Sequence, residues 1–258
     1  MESEMEYRDW LYEVDQHALE VYKECIALRA ALNEVVPLIA VRSRDKKALI
    51  LVGLFLRALG CYESGLLLLE HGRGFEAKVI SRTLLEILFR SRAIFKDPSH
   101  IEQYLSQDFL TRKKHANRFK QLPESLKNAH GNPDVESKLR EIQQEIDDRE
   151  ARNMPIEQVA AYAGLKDYYD TAYAALSDSV HVRMQELESF FRLSDSGAVE
   201  EIAFPDEPVD SKEVLLTLGE SIILIVECVE EYLQEEAQQR VREVVFRFQV
   251  AGQRASKS

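Results

Sequence analysis

The chain has 258 residues, 45% of them hydrophobic, with only 10 glycines and 7 prolines, while Leu, Ala, Glu, Lys, Arg and Gln dominate. This composition excludes a disordered chain, supports a sizeable core and points to long, rarely interrupted helices. A formal charge of −12 argues against a general nucleic-acid coat protein, which needs a surplus of Lys and Arg, but allows a local basic patch.

Met1 to Asp9 is acidic and polar, so no secretory leader is expected. Leu11, Val14, Ala18, Val21, Cys25, Leu28, Leu32 and Val35 recur at spacings of three and four, one apolar seam along a helix that Pro37 ends or kinks. A second helix is predicted from about Arg44 to the His71-Gly72 stop, with Ser43 as its cap and Asp45 in its first turn. Its run Ala48 to Leu69 is the most apolar of the chain. Arg57, Glu63 and interspersed glycine and serine break that run below the ~18 uninterrupted apolar residues of a membrane span, so a buried core helix and no membrane are expected. A third helix runs from about Phe75 to Lys96, and Asp97-Pro98 ends it and starts a fourth that reaches about Gln121.

Pro123, Gly131, Asn132 and Pro133 punctuate a connection. Residues 134–152 are charged and thinly apolar, through Val135, Leu139, Ile142 and Ile146, which predicts a solvated helix or protruding arm. Pro155 restarts a short helix ending near Gly164, and another helix follows from about Lys166 to Phe191. Residues 194–211, with Asp, Gly, Pro and Glu around Ile202-Ala203-Phe204, read as a long acidic loop with room for a short extended piece. The last helix begins near Asp210-Ser211, carries Leu215, Leu218, Ile222, Ile225, Val229 and Leu233, and extends toward Phe248. Cys25, Cys61 and Cys228 lie in apolar segments without C-x-x-C spacing, as reduced core cysteines of a cytoplasmic protein do. The expected fold is all-α: one domain over residues 1–258, an irregular bundle of about seven to eight helices with the acidic loop before the last. No repeat, phosphate loop or β-α alternation competes with it.

On the third helix Arg82, Glu86 and Arg90 share one face at successive i, i+4 steps inside an apolar stretch. Such charges either pair at the helix edge or face a polar pocket, because burying them unpaired is costly. On the helix from Lys166, Tyr169, Tyr173, Ser177 and His181 recur every four residues, with Asp170 and Asp178 nearby. Histidine exchanges protons near neutral pH, a carboxylate such as Glu86 can orient it, and arginine stabilises anionic charge. A serine four residues from a histidine on one helix does not make a hydrolase triad. The fourth helix holds Arg112, Lys113, Lys114, His115, Arg118 and Lys120 within nine residues, interleaved with Phe109 and Phe119. With Arg90, Arg92 and Lys96 this is either a phosphate-tracking surface or a solvated charged face. No cofactor is expected, and no metal, since only Asp97-x-x-His100 and Asp178-x-x-His181 have a carboxylate-histidine spacing suited to a metal-binding bundle.

The segments Ser81-Arg82-Thr83-Leu84-Leu85-Glu86, Lys96-Asp97-Pro98 and Tyr173 to His181 resemble a bacterial all-helical family catalogued as a domain of unknown function, over roughly Leu51 to Phe191. The shared pattern is R-x-x-x-E on one helix and Y-x-x-x-S-x-x-x-H on a later one. It implies a common pocket of Arg82, Glu86, Tyr173, Ser177 and His181. That family is distantly similar to the helical HEPN superfamily, many of whose toxin and defence ribonucleases carry an arginine four to six residues before a histidine. Here those positions hold Ser177, Leu176 and Ala175, so the arginine has to come from elsewhere, and Arg82 is the candidate.

Two functional readings stay open. In the first, a bacterial toxin or defence protein acts on or binds RNA or a nucleotide; as an enzyme it would be a metal-independent ribonuclease or a related phosphodiester- or nucleotide-acting enzyme. His181 would be acid or base, Arg82 would stabilise phosphate charge, Glu86 would orient one of them, and Tyr173 and Ser177 would position substrate. In the second, the same residues form a structural polar network in a non-enzymatic module that homodimerises or binds a helical protein partner. Its surfaces would be the Leu11 to Val35 seam, the 134–152 arm and the last helix.

Overall fold

The apolar seam near the N-terminus is the inner face of the first helix in a computed structural model of the chain, which describes residues 16–41, 44–129, 134–178, 190–194, 197–202 and 211–257. Helix α1 spans Gln16–Val35, and Ala18, Val21, Cys25, Leu28, Leu32 and Val35 are all buried along it. From Ala18 to Val35 the seam is thus buried in this chain's own core; Leu11 and Val14 lie outside the described residues. Pro37 sits in the 3-10 turn Val36–Leu38 that ends the helix.

Helix α2 spans Lys46–Glu70, and its cap is Asp45 rather than Ser43: the Asp45 carboxylate accepts from the Ala48 N–H at 3.0 Å. Ser43 lies outside the described residues. By length and mean hydropathy (1.5) α2 could cross a membrane, and half of that apolar window is buried within the fold. At its end Gly72 adopts φ 66°, and the Arg73 N–H reaches back to the Leu68 carbonyl at 2.8 Å, which turns the chain sharply into α3, Gly74–Lys96. Helix α3 packs along α2 and buries Leu84, Leu85, Leu88 and Phe89 completely.

Asp97 caps the next turn through the Ser99 N–H at 2.9 Å, and α4 runs His100–Lys120. A short helix that the sequence reading assigned to a connection follows, α5, Glu124–Ala129. Helix α6, Val135–Asp148, packs along α4 with Ile146 buried, and Lys120–Glu136 (2.5 Å) and Arg149–Glu102 (3.3 Å) pair near its two ends. Helix α7, Ile156–Ala163, lies against α3 and ends at the left-handed Gly164. Helix α8 covers residues 166–178 and is not uniform: Lys166–Tyr168 is α-helical, Tyr169–Tyr173 is a π-turn, and Ala174–Asp178 returns to α geometry.

Two corrections concern the last third. Phe191, expected at a helix end, begins a strand: β1, Phe191–Leu193, pairs antiparallel with β2, Val199–Ile202, inside the region read as acidic loop. Residues 203–210 of that region lie outside the description. The single last helix is two, α9, Ser211–Glu227, and α10, Glu235–Ala255, separated by the 3-10 turn Glu230–Tyr232. No glycine or proline marks this break. It is made by tertiary bonds: Ala40 N–H donates to the Tyr232 carbonyl at 3.0 Å, Ile39 bridges Leu233, and the Gln238 amide donates to the Glu230 and Leu233 carbonyls at 2.9 and 3.0 Å. Helix α9 packs on α1, α2 and α3, and α10 lies along α1. The described residues are therefore mostly helical, as expected, in ten helical segments rather than seven or eight.

All three cysteines are free and buried. Burial pushes the Cys25 thiol up to about 12 and Cys228 to about 11, and raises Cys61 as well. At pH 8 a thiol of pKa about 12 is ionised in about one molecule in ten thousand. Ellman's reagent is therefore expected to leave Cys25 and Cys228 unreacted over minutes in the native protein and to titrate three thiols in guanidinium. Rapid labelling of Cys25 under native conditions would show that α1 opens locally.

Candidate functional site

Arg82 and Glu86 sit one turn apart on α3 beside α8, and the face of α8 turned toward them carries Tyr173 and Ser177. The Arg82 guanidinium donates from Nε to Ser177 Oγ at 3.1 Å and from Nη2 to the Tyr173 hydroxyl at 2.7 Å. Nη2 also pairs with Glu86 Oε1 at 3.2 Å, and the Tyr173 hydroxyl donates to that same oxygen at 3.0 Å. The guanidinium carbon lies 4.9 Å from the Tyr173 ring centroid. Arg82, Glu86 and Tyr173 thus close one hydrogen-bonded cycle across helices 87 and 91 positions apart in sequence, and Ser177 joins it through Arg82 Nε.

The support beneath it is aromatic. Tyr173 is buried, stacks on Tyr169 (5.0 Å, 19°) and tilts against Phe89 (5.8 Å, 60°), itself fully buried in α3. The π-turn between the two tyrosines widens the helix locally, a feature often found at functional sites. Burial raises the Tyr173 pKa, the Glu86 charge and hydrogen bond raise it further, and Arg82 and Ser177 oppose the shift; the phenol is protonated at neutral pH and acts as donor to Glu86.

Arg82 and Glu86 keep 29% and 31% of their side-chain surface exposed, so the cycle lies at the protein surface rather than sealed beneath it. Among the described residues, Arg82 Nη1 and Glu86 Oε2 make no hydrogen bond or ion pair. One turn before Arg82, Lys78 borders a cleft of about 400 Å³ between α3, α8 and α9, whose walls include Thr171, Leu176, Glu213 and Glu220.

The other predicted site residues divide. His181 lies outside the described residues. Arg90 shares the α3 face with Arg82 and Glu86 but turns to α4, donating to Gln107 Oε1 at 2.8 Å. Arg92 pairs with Glu227 on α9 at 2.9 Å, away from the cycle. On α4, Arg112 pairs with Asp108 at 2.6 Å, Lys113 donates to Gln143 of α6, and Lys114 and Arg118 are exposed without an ion pair among the described residues. The sequence reading missed Phe89 as a prop, because a phenylalanine in an apolar helix carries no mark that distinguishes it from other core residues. Among the described residues no group of three or more His, Cys, Asp or Glu side chains is arranged to hold a metal ion.

A family model described as a family of unknown function (DUF5677) matches residues 48–198, well over half of the chain. The chain belongs to this family. The DUF5677 match contains the whole resemblance read from Leu51 to Phe191, including Arg82, Glu86, Tyr173, Ser177 and His181. No curated protein and no solved structure matches the chain.

Proposed function

We propose that this DUF5677 protein binds RNA or a nucleotide through the Arg82 cycle and acts on its phosphodiester or phosphate without a metal. The carrying observation is the state of Arg82: two of its nitrogens are held by Ser177, Tyr173 and Glu86, while Nη1 has no partner among the described residues and the side chain reaches solvent. A guanidinium oriented in advance loses little freedom when it meets a phosphate oxygen. Tyr173 and Ser177 hold that orientation, Glu86 accepts from the protonated phenol, and His181 is the residue assigned to proton transfer. The sequence resemblance to HEPN ribonucleases makes the phosphodiester the bond to test, although this chain lacks their arginine four to six residues before His181.

A second reading is favoured by Glu86, which offsets the Arg82 charge at 3.2 Å and makes the cycle self-contained, as a network that fixes the register of α8 on α3 needs to be. The two readings separate when a mixed cellular RNA pool is incubated with wild type, Arg82→Ala and His181→Ala, with circular dichroism confirming that each is folded. The proposal expects RNA binding or cleavage by wild type, reduced about a hundredfold or more in both variants. Neither binding nor cleavage by wild type, with Arg82→Ala lowering only the melting temperature, would establish the structural network instead.

A further inference from the structure

Arg90 differs from the other arginines of the bundle interior. Arg29, Arg82 and Arg92 each pair with a glutamate, whereas Arg90, half-buried between α3 and α4, has no carboxylate within ion-pairing distance among the described residues. Its one hydrogen bond goes to the neutral Gln107, whose own amide is held by the Met154 carbonyl at 3.2 Å. Its guanidinium carbon stands 5.5 Å from the Tyr104 ring centroid. A half-buried cation without a counter-charge is costly unless something else supplies one.

Arg90 lines a cleft between α3, α4 and α7 together with His100, Gln103, Tyr104, Gln107 and Met154, and among the described residues no acidic one lines it. Among the described residues the His100 ring nitrogens, the Gln103 amide and the Tyr104 hydroxyl form no hydrogen bond, so three side chains beside Arg90 keep hydrogen-bonding capacity for a ligand. His100 is fixed by its ring contact with Tyr162 at 3.8 Å, and Tyr162 in turn donates to Asp97 at 2.7 Å. Burial lowers the His100 pKa against the pull of Asp97, which favours the neutral imidazole, a donor without added charge. The enclosed part is about 20 Å³, room for one oxygen-sized group but not for an aromatic ring, and it opens to solvent, so a larger anion would seat one oxygen inside and keep the others at the mouth. A cation with three neutral side chains around that mouth matches an anion with several oxygens, each able to accept a hydrogen bond.

We propose that this cleft is a binding site for a phosphate-class oxyanion, with Arg90 supplying the charge, His100, Gln103 and Tyr104 the further hydrogen bonds, and Gln107 positioning the guanidinium. The site is separate from the Arg82 cycle, about 12 Å away along α3 by helical rise, and does not depend on the function proposed for it. The ligand is either free phosphate or the phosphate of a nucleotide or RNA chain.

Isothermal titration of the full chain with inorganic phosphate, AMP and an RNA hexamer, at constant ionic strength in chloride, tests it. Saturable binding is expected that Arg90→Gln weakens at least about tenfold and Gln103→Ala less strongly, and that neither Arg82→Ala in the other site nor Arg57→Gln on the exposed face of α2 changes. Arg90-dependent saturation by inorganic phosphate would identify free phosphate as sufficient; Arg90-dependent saturation by AMP or the hexamer alone would assign the site to a nucleotide phosphate. The proposal is overturned if none of the three saturates, or if Arg57→Gln weakens binding as much as Arg90→Gln. Should Arg90→Gln fail to fold, Gln103→Ala decides, because no change in affinity there would also sink the site.

Discussion

Replacing Phe89 by alanine is expected to destabilise the protein by about 3–5 kcal/mol, the range for deleting a fully buried aromatic side chain without room for collapse. Phe89 has no exposed surface, and its ring lies against both Tyr173 and Tyr169. Its loss opens a void directly under the π-turn, which is already the least regular part of α8. Chain folding and the polar cycle should therefore suffer together, because the Tyr173 hydroxyl is positioned for Arg82 only while its ring is propped from below. Urea denaturation measures the first effect, and the reactivity or ultraviolet signature of Tyr173 the second. Phe89→Leu, which keeps most of the volume, should cost much less. A loss below about 1 kcal/mol for Phe89→Ala would mean that α8 settles into the space, and the prop would be refuted.

Gly219→Ala is the other substitution with a large expected effect, against the usual rule that alanine improves a helix by about 1 kcal/mol over glycine. A Cβ built on Gly219 of α9 would stand 2.1 and 2.2 Å from two ring carbons of Phe248 on α10. Phe248 is only 2% exposed, so the ring has nowhere to withdraw and the two helices must part. Overpacking of this kind costs about 1–3 kcal/mol, with more at so close an approach. Gly65 is the internal comparison: its Cβ would stand 2.9 Å from both methyls of the fully buried Leu218, a much smaller overlap than that with Phe248. Thermal melts should show a clear drop for Gly219→Ala, a smaller one for Gly65→Ala, and partial recovery when Phe248→Leu is added to Gly219→Ala. Equal melts for the two single variants would show that α10 is not held where Phe248 places it.

Much of the candidate site was legible as two one-dimensional patterns. The i, i+4 placement of Arg82 and Glu86 inside an apolar helix, and of Tyr173 and Ser177 on a later one, marks polar faces whatever the fold around them. Spacing also placed Arg90 on the Arg82 face, without showing which helix that residue meets. Arg90 lies two turns further along α3, where the neighbour is α4 rather than α8, so its guanidinium meets Gln107. The candidate oxyanion cleft was invisible for the same reason: His100, Gln103 and Tyr104 look like an ordinary helix start until α3 and α7 close around them.

The sequence by itself determined the helical class, the buried seam from Ala18 to Val35, the stop at Gly72 and the polar faces of α3 and α8, because hydrophobic period, turn chemistry and charge spacing act over a few residues. Only the tertiary structure decided that Arg82 meets Tyr173 and Ser177, 91 and 95 positions away, and that Phe89 supports them. It also decided that the last helix breaks at Glu230–Tyr232, where Ile39 and Ala40 claim the backbone. A backbone carbonyl or a guanidinium takes whichever partner packing brings within hydrogen-bond reach, and that choice depends on contacts across the whole chain rather than on its local pattern.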